Sequence, residues 1–234
     1  MKRIARIAAA AIFVALIPLL LITSSVRFVI NLPALYSYGF DRYDIAEYTR
    51  IERDDLIAAG KQFRDYFNND DEDLIIRTYV GGVLVESLYN AREIHHMRDV
   101  KALVRGVYLV QMLTLLYIAT YIVVGFWLRR AEFWGMLGRD VSRGGKLTLV
   151  LVVVVGLLAL VGFNQLFLLF HLISFSNDFW MLDPRHDYLI AMFPQGFFFD
   201  ATMFIAFCTI AAAAVLAAAP RIGRIVARGF HITH

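Results

Sequence analysis

The sequence predicts a mainly α membrane protein with four transmembrane helices, both termini cytoplasmic, and a small mixed α/β extracytoplasmic cap between helices 1 and 2. Three observations carry this. Of 234 residues, 59% are hydrophobic and only 18% charged, against about 45–50% and about 25% in soluble domains. Four apolar stretches approach or exceed the roughly 20 residues that cross a bilayer. The segments between them alternate in the sign of their charge. Together these exclude a disordered chain and an ordinary soluble enzyme. The formal charge of +3 is scattered, which argues against a nucleic-acid partner, and the single cysteine, Cys208, allows no internal disulfide or cysteine zinc cluster.

The first apolar stretch, residues 7–22, follows Lys2, Arg3 and Arg6. No small-x-small cleavage signal stands near residues 23–25, so it reads as an uncleaved helix. Residues 26–98 then form a cap inserted into a single membrane domain spanning residues 1–234. Within it, residues 53–68 read as a helix, with Leu56, Gly60, Phe63 and Phe67 on one stripe. Residues 74–80 and 83–89 are rich in β-branched side chains and flank Gly81-Gly82, a hairpin signal. A helix begins near Asn90, where Asn90 and Glu93 have capping-box spacing, and runs into the second span at 103–128. The third and fourth spans are residues 147–173 and 197–219.

Charge orients these spans. Arg129, Arg130, Arg139, Arg143 and Lys146 follow the second, and Arg221, Arg224 and Arg228 follow the fourth. Between Arg27 and Lys101 there are fourteen acids and ten bases, and Asp178, Asp183, Asp187 and Asp200 face only Arg185 in the last loop. Basic segments remain in the cytoplasm, so both acidic loops face outward.

Two segments could carry chemistry. In Glu93-Ile94-His95-His96-Met97-Arg98-Asp99, the side chains of Glu93, His96 and Asp99 share a helix face, and His95 points about 100° away. Carboxylates a turn above and below a histidine can orient it and make it more basic. The plainer reading is a headgroup-zone helix whose Glu93 only caps. In the third span, His171 lies 24 residues beyond Leu147, roughly 36 Å along a helix. It is either a site residue or an interfacial histidine seeking a partner. Both histidines fall at the outer surface on different helices. The aromatic segment from Phe175 to Pro184 then either anchors in the interface or roofs a lipid site. His95, His96, Asp99 and His171 could hold a metal, but their spacing is not diagnostic. No Gly-x-Ser-x-Gly, His-Glu-x-x-His or phosphate-loop motif is present.

Glu93-x-x-His96-Met97-x-Asp99-Val100 resembles a signature of a bacterial four-span family, the lipoprotein intramolecular transacylases. So do His171 with Phe179-Trp180-Met181-Leu182-Asp183-Pro184, Met192-Phe193-Pro194, and the region from Tyr43 to Phe67. The resemblance implies a multi-pass protein of the bacterial cell membrane whose site faces the outer leaflet. It implies an acyltransferase that moves the sn-2 acyl chain of a diacylglyceryl lipoprotein to its own N-terminal cysteine amine, giving lyso-form lipoprotein. His96 and His171 would be catalytic, with Glu93, Asp99, Asn177, Trp180 and Asp183 in support, and with no metal or cofactor. Ester and amine belong to one molecule, so orientation alone can contribute about 7–11 kcal/mol. A histidine can take a proton from the amine and return it to the glyceryl oxygen. A non-catalytic membrane scaffold and an intramembrane lipid hydrolase are the competing readings.

Overall fold

The computed structural model describes residues 2–230, and the side chains of all of these except 2, 131 and 220–230. The side chains of Lys2, Arg221, Arg224 and Arg228, which enter the charge argument above, therefore lie outside the described residues. Eight helices and one hairpin are described: α1 (Lys2–Ile30), α2 (Pro33–Arg42), α3 (Ile45–Thr49), α4 (Arg53–Tyr66), β1 (Thr78–Val80), β2 (Val83–Val85), α5 (Ala91–Arg129), α6 (Ala131–Ser174), α7 (Tyr188–Met192) and α8 (Gln195–Phe230). The chain is mainly helical, and α1, α5, α6 and α8 are each long and apolar enough to cross a membrane.

The helices extend beyond the apolar stretches that predict them. Of the basic segment after the second span, Arg139, Arg143 and Lys146 belong to α6, Arg129 ends α5 and Arg130 turns between them with φ of 53°. Inside α6 the backbone leaves helical geometry at Gly162 (φ −144°, ψ 46°), where the helix kinks. The hairpin is shorter than predicted, because Arg77 is drawn off to α4: Gln62 accepts its amide at 3.1 Å and donates to its carbonyl at 3.1 Å. What remains is a pair of three-residue strands in the register Thr78↔Val85, Tyr79↔Leu84 and Val80↔Val83. Gly81 and Gly82 turn it with φ of 57° and 79°, a two-residue turn that glycine adopts without strain. The short helices α2 and α3 are not anticipated by the sequence pattern. Pro33 opens α2, a position where its missing N–H costs nothing.

The chain divides into two compact units. Among the described residues, one comprises residues 2–26, 108–158 and 205–230. Its core is Phe13, Ile17, Phe133 and Leu137, all buried. Polar side chains bind its helices: Tyr117 donates to the Ala9 carbonyl at 3.0 Å, Gln111 to Ser24 at 2.9 Å and Ser142 to the Ala217 carbonyl at 2.7 Å. A Cβ at Gly145 would stand 2.6 Å from the Ala217 nitrogen, so only glycine permits that approach of α6 to α8.

The other unit comprises residues 27–107 and 159–204, and it holds every candidate site residue. Its core joins Ile51, Leu56, Ala59 and Ile76, none with measurable exposure, to an aromatic group of Tyr36, Phe40, Phe63, Phe193 and Phe197. The buried stripe of α4 is the one its sequence shows, with Leu56 and Gly60 inward and Phe67 just past its end. The acidic run at residues 69–73 is clasped by the basic face of α5. Arg98 bonds Asp73 at 2.5 Å, Lys101 reaches Asn69 at 3.0 Å and the Asp71 carbonyl at 2.6 Å, and Arg105 bonds Asp70 at 2.8 Å. The Arg98 guanidinium holds the Asp73 carboxyl below the usual carboxylate range. Burial pushes the Tyr66 hydroxyl, whose ring lies under the Lys101 ammonium, up to about 12.

Candidate functional site

His96 lies in the second turn of α5 and His171 in the last turn of α6. They are 7% and 8% exposed. Their rings face one another with centroids 6.1 Å apart and planes inclined by 30°. Neither ring is alone. Phe175 sets its edge to His96 at 5.0 Å, while Phe167 and Trp180 lie 4.4 and 5.0 Å from His171. The pair thus sits in an aromatic shell of low polarity, where an electrostatic interaction is worth more than in water.

The two rings differ in what they are free to do. The Nδ1 of His171 lies 2.7 Å from the Phe167 carbonyl. A carbonyl can only accept, so Nδ1 carries the hydrogen and Nε2 of the neutral ring is left with its lone pair. The Nδ1 of His96 is buried and has no hydrogen-bond partner among the described residues. No neighbour fixes its tautomer. A buried polar atom left unmatched is uncommon and marks a place where a ligand group would be stabilised.

The sequence spacing sets Glu93 and Asp99 one turn either side of His96, but neither carboxylate is bonded to it. Glu93, 1% exposed, accepts the amide of Asn90 through Oε2 at 2.7 Å and the amide of Leu189 through Oε1 at 2.6 Å. Asn90 returns the capping box by accepting the Glu93 amide at 3.1 Å. Three residues from the cap is the reach at which a glutamate curls back to satisfy an orphan helix donor, which takes it off the line to His96. Asp99 instead accepts the side-chain amide of Asn177 at 2.9 Å. The two carboxylates therefore hold the segment that covers the histidines near its two ends, Asp99 at Asn177 and Glu93 at Leu189 just beyond it, rather than the ring itself.

That segment, residues 175–187, is tied to the start of α5 at further points. Arg92 donates to the Asp178 carbonyl at 2.5 Å and Asn90 to Asp187 at 2.7 Å. Asp187 also accepts the Asp183 amide at 2.7 Å. The Asp183 carboxylate points to Arg185, which bonds both of its oxygens and depresses its pKa. Asp183 thus shapes the turn without reaching the histidines, whereas Trp180 touches His171 directly. His95 is exposed and stacks on Phe179 at 5.1 Å. Asp187 and the Leu189 amide escape the sequence reading. The one signal for Asp187 is its place just before the apolar run of α7, where an acid reads as a helix cap, yet its carboxylate serves the fold elsewhere. Among the described residues, no three histidine, cysteine or acidic side chains gather as a metal site would need.

Over residues 11–198 the sequence matches the family described as lipoprotein intramolecular transacylase Lit. The chain belongs to this family. No curated protein matches it. The fold is that of the membrane-integral Lit of Bacillus cereus, with a TM-score of 0.78 at 18% identity, covering 99% of this chain and 100% of that one. Two forms of the Bacillus cereus Lit with one histidine replaced are similar as well. The alanine form gives a TM-score of 0.75 over 99% of this chain and 97% of that one. The arginine form gives 0.74 over 100% and 96%. Both are 18% identical to this chain. Four apolar helices and membership of the Lit family make this a multi-pass membrane protein and a transacylase of lipoprotein maturation.

Proposed function

We propose that this protein moves the sn-2 acyl chain of a diacylglyceryl lipoprotein onto the α-amine of the same lipoprotein's N-terminal cysteine, with His96 and His171 as the proton-handling groups. The observation that carries the reading is the buried histidine pair, 6.1 Å apart, with one tautomer fixed and the other free. The neutral amine attacks the ester carbonyl carbon. As the C–N bond forms, His96 takes the amine proton. As the C–O bond breaks, the glyceryl oxygen receives a proton from the histidine pair. His171 offers Nε2 as an acceptor, so both rings enter the reaction unprotonated on the reacting side. The proton delivered in the second half is then the one taken up in the first, and the proton count closes. Amide replaces ester, so no external energy source is needed, and direct aminolysis requires no serine or cysteine nucleophile.

His96 is assigned to the amine and His171, deeper along its span and walled by phenylalanines, to the ester. Asp99, Asn177, Trp180 and Asp183 support the site through its cover, and Glu93 supports it through the Leu189 amide just beyond. The site faces the outer leaflet of the bacterial cell membrane, both termini are cytoplasmic and residues 26–98 lie outside. The sign asymmetry of the connecting segments supports that orientation. Mass spectrometry of a lipoprotein's N-terminal peptide from cells with and without the protein tests the reading. The expected result is an N-acyl, S-monoacylglyceryl cysteine that disappears with the protein. An unchanged diacylglyceryl cysteine in both would overturn it.

A further inference from the structure

Apart from the histidine pair, the same unit carries an open cleft of about 620 Å³. Asp44, Glu47, Tyr48 and Arg50 line one wall, and Pro184 and Ile190 belong to the other. We propose that this cleft binds the stretch of polypeptide that follows the lipid-carrying cysteine of the substrate. The inference rests on the acyl-transfer reading above and names a subsite for it.

The geometry of the walls is the first argument. Asp44 and Arg50 bracket α3 and both hold left-handed backbone, with φ of 52° and 58°. Among the described residues only Arg130 joins them as a non-glycine of positive φ. Such backbone persists where its surroundings over-determine it. The Arg50 carbonyl accepts the Gly81 amide at 2.7 Å. The Tyr48 hydroxyl crosses to the Pro184 carbonyl at 3.1 Å, linking the two walls. So α3 is held with Glu47 and Tyr48 exposed along the cleft rather than turned into the core.

Chemistry selects the occupant. An acyl chain needs an apolar groove, and the aromatic shell of His171 is the better one. A phospholipid headgroup needs net positive charge, but the cleft sets two carboxylates against one guanidinium. Apolar floor, exposed aromatic ring and charges of both signs suit a short extended peptide. The two carboxylates favour one with a basic side chain.

Position supplies the third argument. Ile190 follows Leu189, whose amide is bonded to Glu93, one turn before His96 on α5. An extended chain covers about 3.3 Å per residue. A substrate whose amine lies at His96 therefore has the cleft beside the chain that Glu93 holds, within reach of the residues that follow its cysteine.

Two substrates make the test: a diacylglyceryl cysteine amide with no peptide, and a diacylglyceryl lipopeptide carrying six further residues with lysine among them. Reconstituted protein should turn over both. Glu47→Lys should raise KM for the lipopeptide about tenfold, the effect of one good contact, and leave kcat and the cysteine amide unchanged. A photo-crosslinking amino acid at position 48 should capture the lipopeptide, and one at the exposed Lys61 position should not. Equal effects on both substrates, or capture of phospholipid in place of peptide, would overturn the subsite while leaving the acyl-transfer reading intact. Turnover of neither substrate by the unaltered protein would overturn that reading, and the subsite with it.

Discussion

The Glu93 carboxylate accepts the Leu189 amide at 2.6 Å, so a side chain in the first turn of α5 fixes the backbone of α7, 96 positions further along the chain. Its other oxygen closes the cap of its own helix on Asn90. One buried group therefore sets both the start of the helix that carries His96 and the segment after the cover.

Glu93→Ala leaves two amides without acceptors at a site 1% exposed. Losing hydrogen bonds to a charged group and burying unsatisfied donors costs about 2–4 kcal/mol. Thermal unfolding in detergent should show a clear fall in Tm for Glu93→Ala. Glu93→Gln, which keeps one acceptor oxygen, should fall between it and the unaltered protein. Equal stability of all three would contradict the bonding described.

His96→Ala and His171→Ala should each lower acyl transfer about 10²–10⁴-fold while the protein still inserts and folds. The double variant should be little worse than the weaker single one, because groups that handle one proton act as a unit. His95→Ala should stay within about threefold, since that ring stacks on Phe179 away from the pair. Single-turnover assays on a defined lipopeptide measure all four. Strictly multiplicative losses would separate the two histidines into independent roles.

Asp99 and Asn177 should be coupled. Asp99→Ala and Asn177→Ala break the same 2.9 Å bond, so a double-mutant cycle on activity should give a coupling of about 0.5–3 kcal/mol. His96 keeps its aromatic contacts in both variants, so the effect should fall chiefly on KM. Additive losses would show that the bond does not hold the cover in solution.

Acid should loosen the unit that holds the site. The carboxyls of Asp73, Asp41 and Asp183 are held below their ordinary values by Arg98, Arg53 and Arg185. Depressed folded-state values mean stability that is complete above the unfolded value of about 3.9 and lost as pH falls through the folded ones. The part of the stability that these three pairs contribute should be lost below about pH 4, read as a fall in Tm. Asp73→Asn should flatten that decline. Unchanged acid sensitivity in Asp73→Asn would remove this pair from the account.

Topology is testable by cysteine labelling in a Cys208→Ser background. A cysteine at Asp71 should react with an impermeant reagent in intact cells, and one at Arg139 should not. Arg139 is exposed. Gly144 is a poor probe position, because any Cβ there meets the Ile17 side chain. The reverse labelling pattern would invert the orientation.

The one-dimensional pattern by itself determined the spans, the hairpin turn and the Asn90–Glu93 cap, and it singled out His96 and His171 as candidates. Each is a local or periodic property: a length of apolar chain, a Gly-Gly pair, a three-residue spacing. It also matched the depths of His96 and His171, since helical rise is fixed at 1.5 Å per residue. It could not tell which partner a buried polar group chooses. Spacing aims Glu93 and Asp99 at His96, yet one is claimed by backbone amides and the other by Asn177. That choice depends on which donors the fold strands nearby, so only the tertiary structure decided it. The same holds for α2 and α3, which have little apolar periodicity of their own and are fixed by packing on α4 and α7, and for the hairpin, shortened because Gln62 on a neighbouring helix offers Arg77 a better match than a strand would.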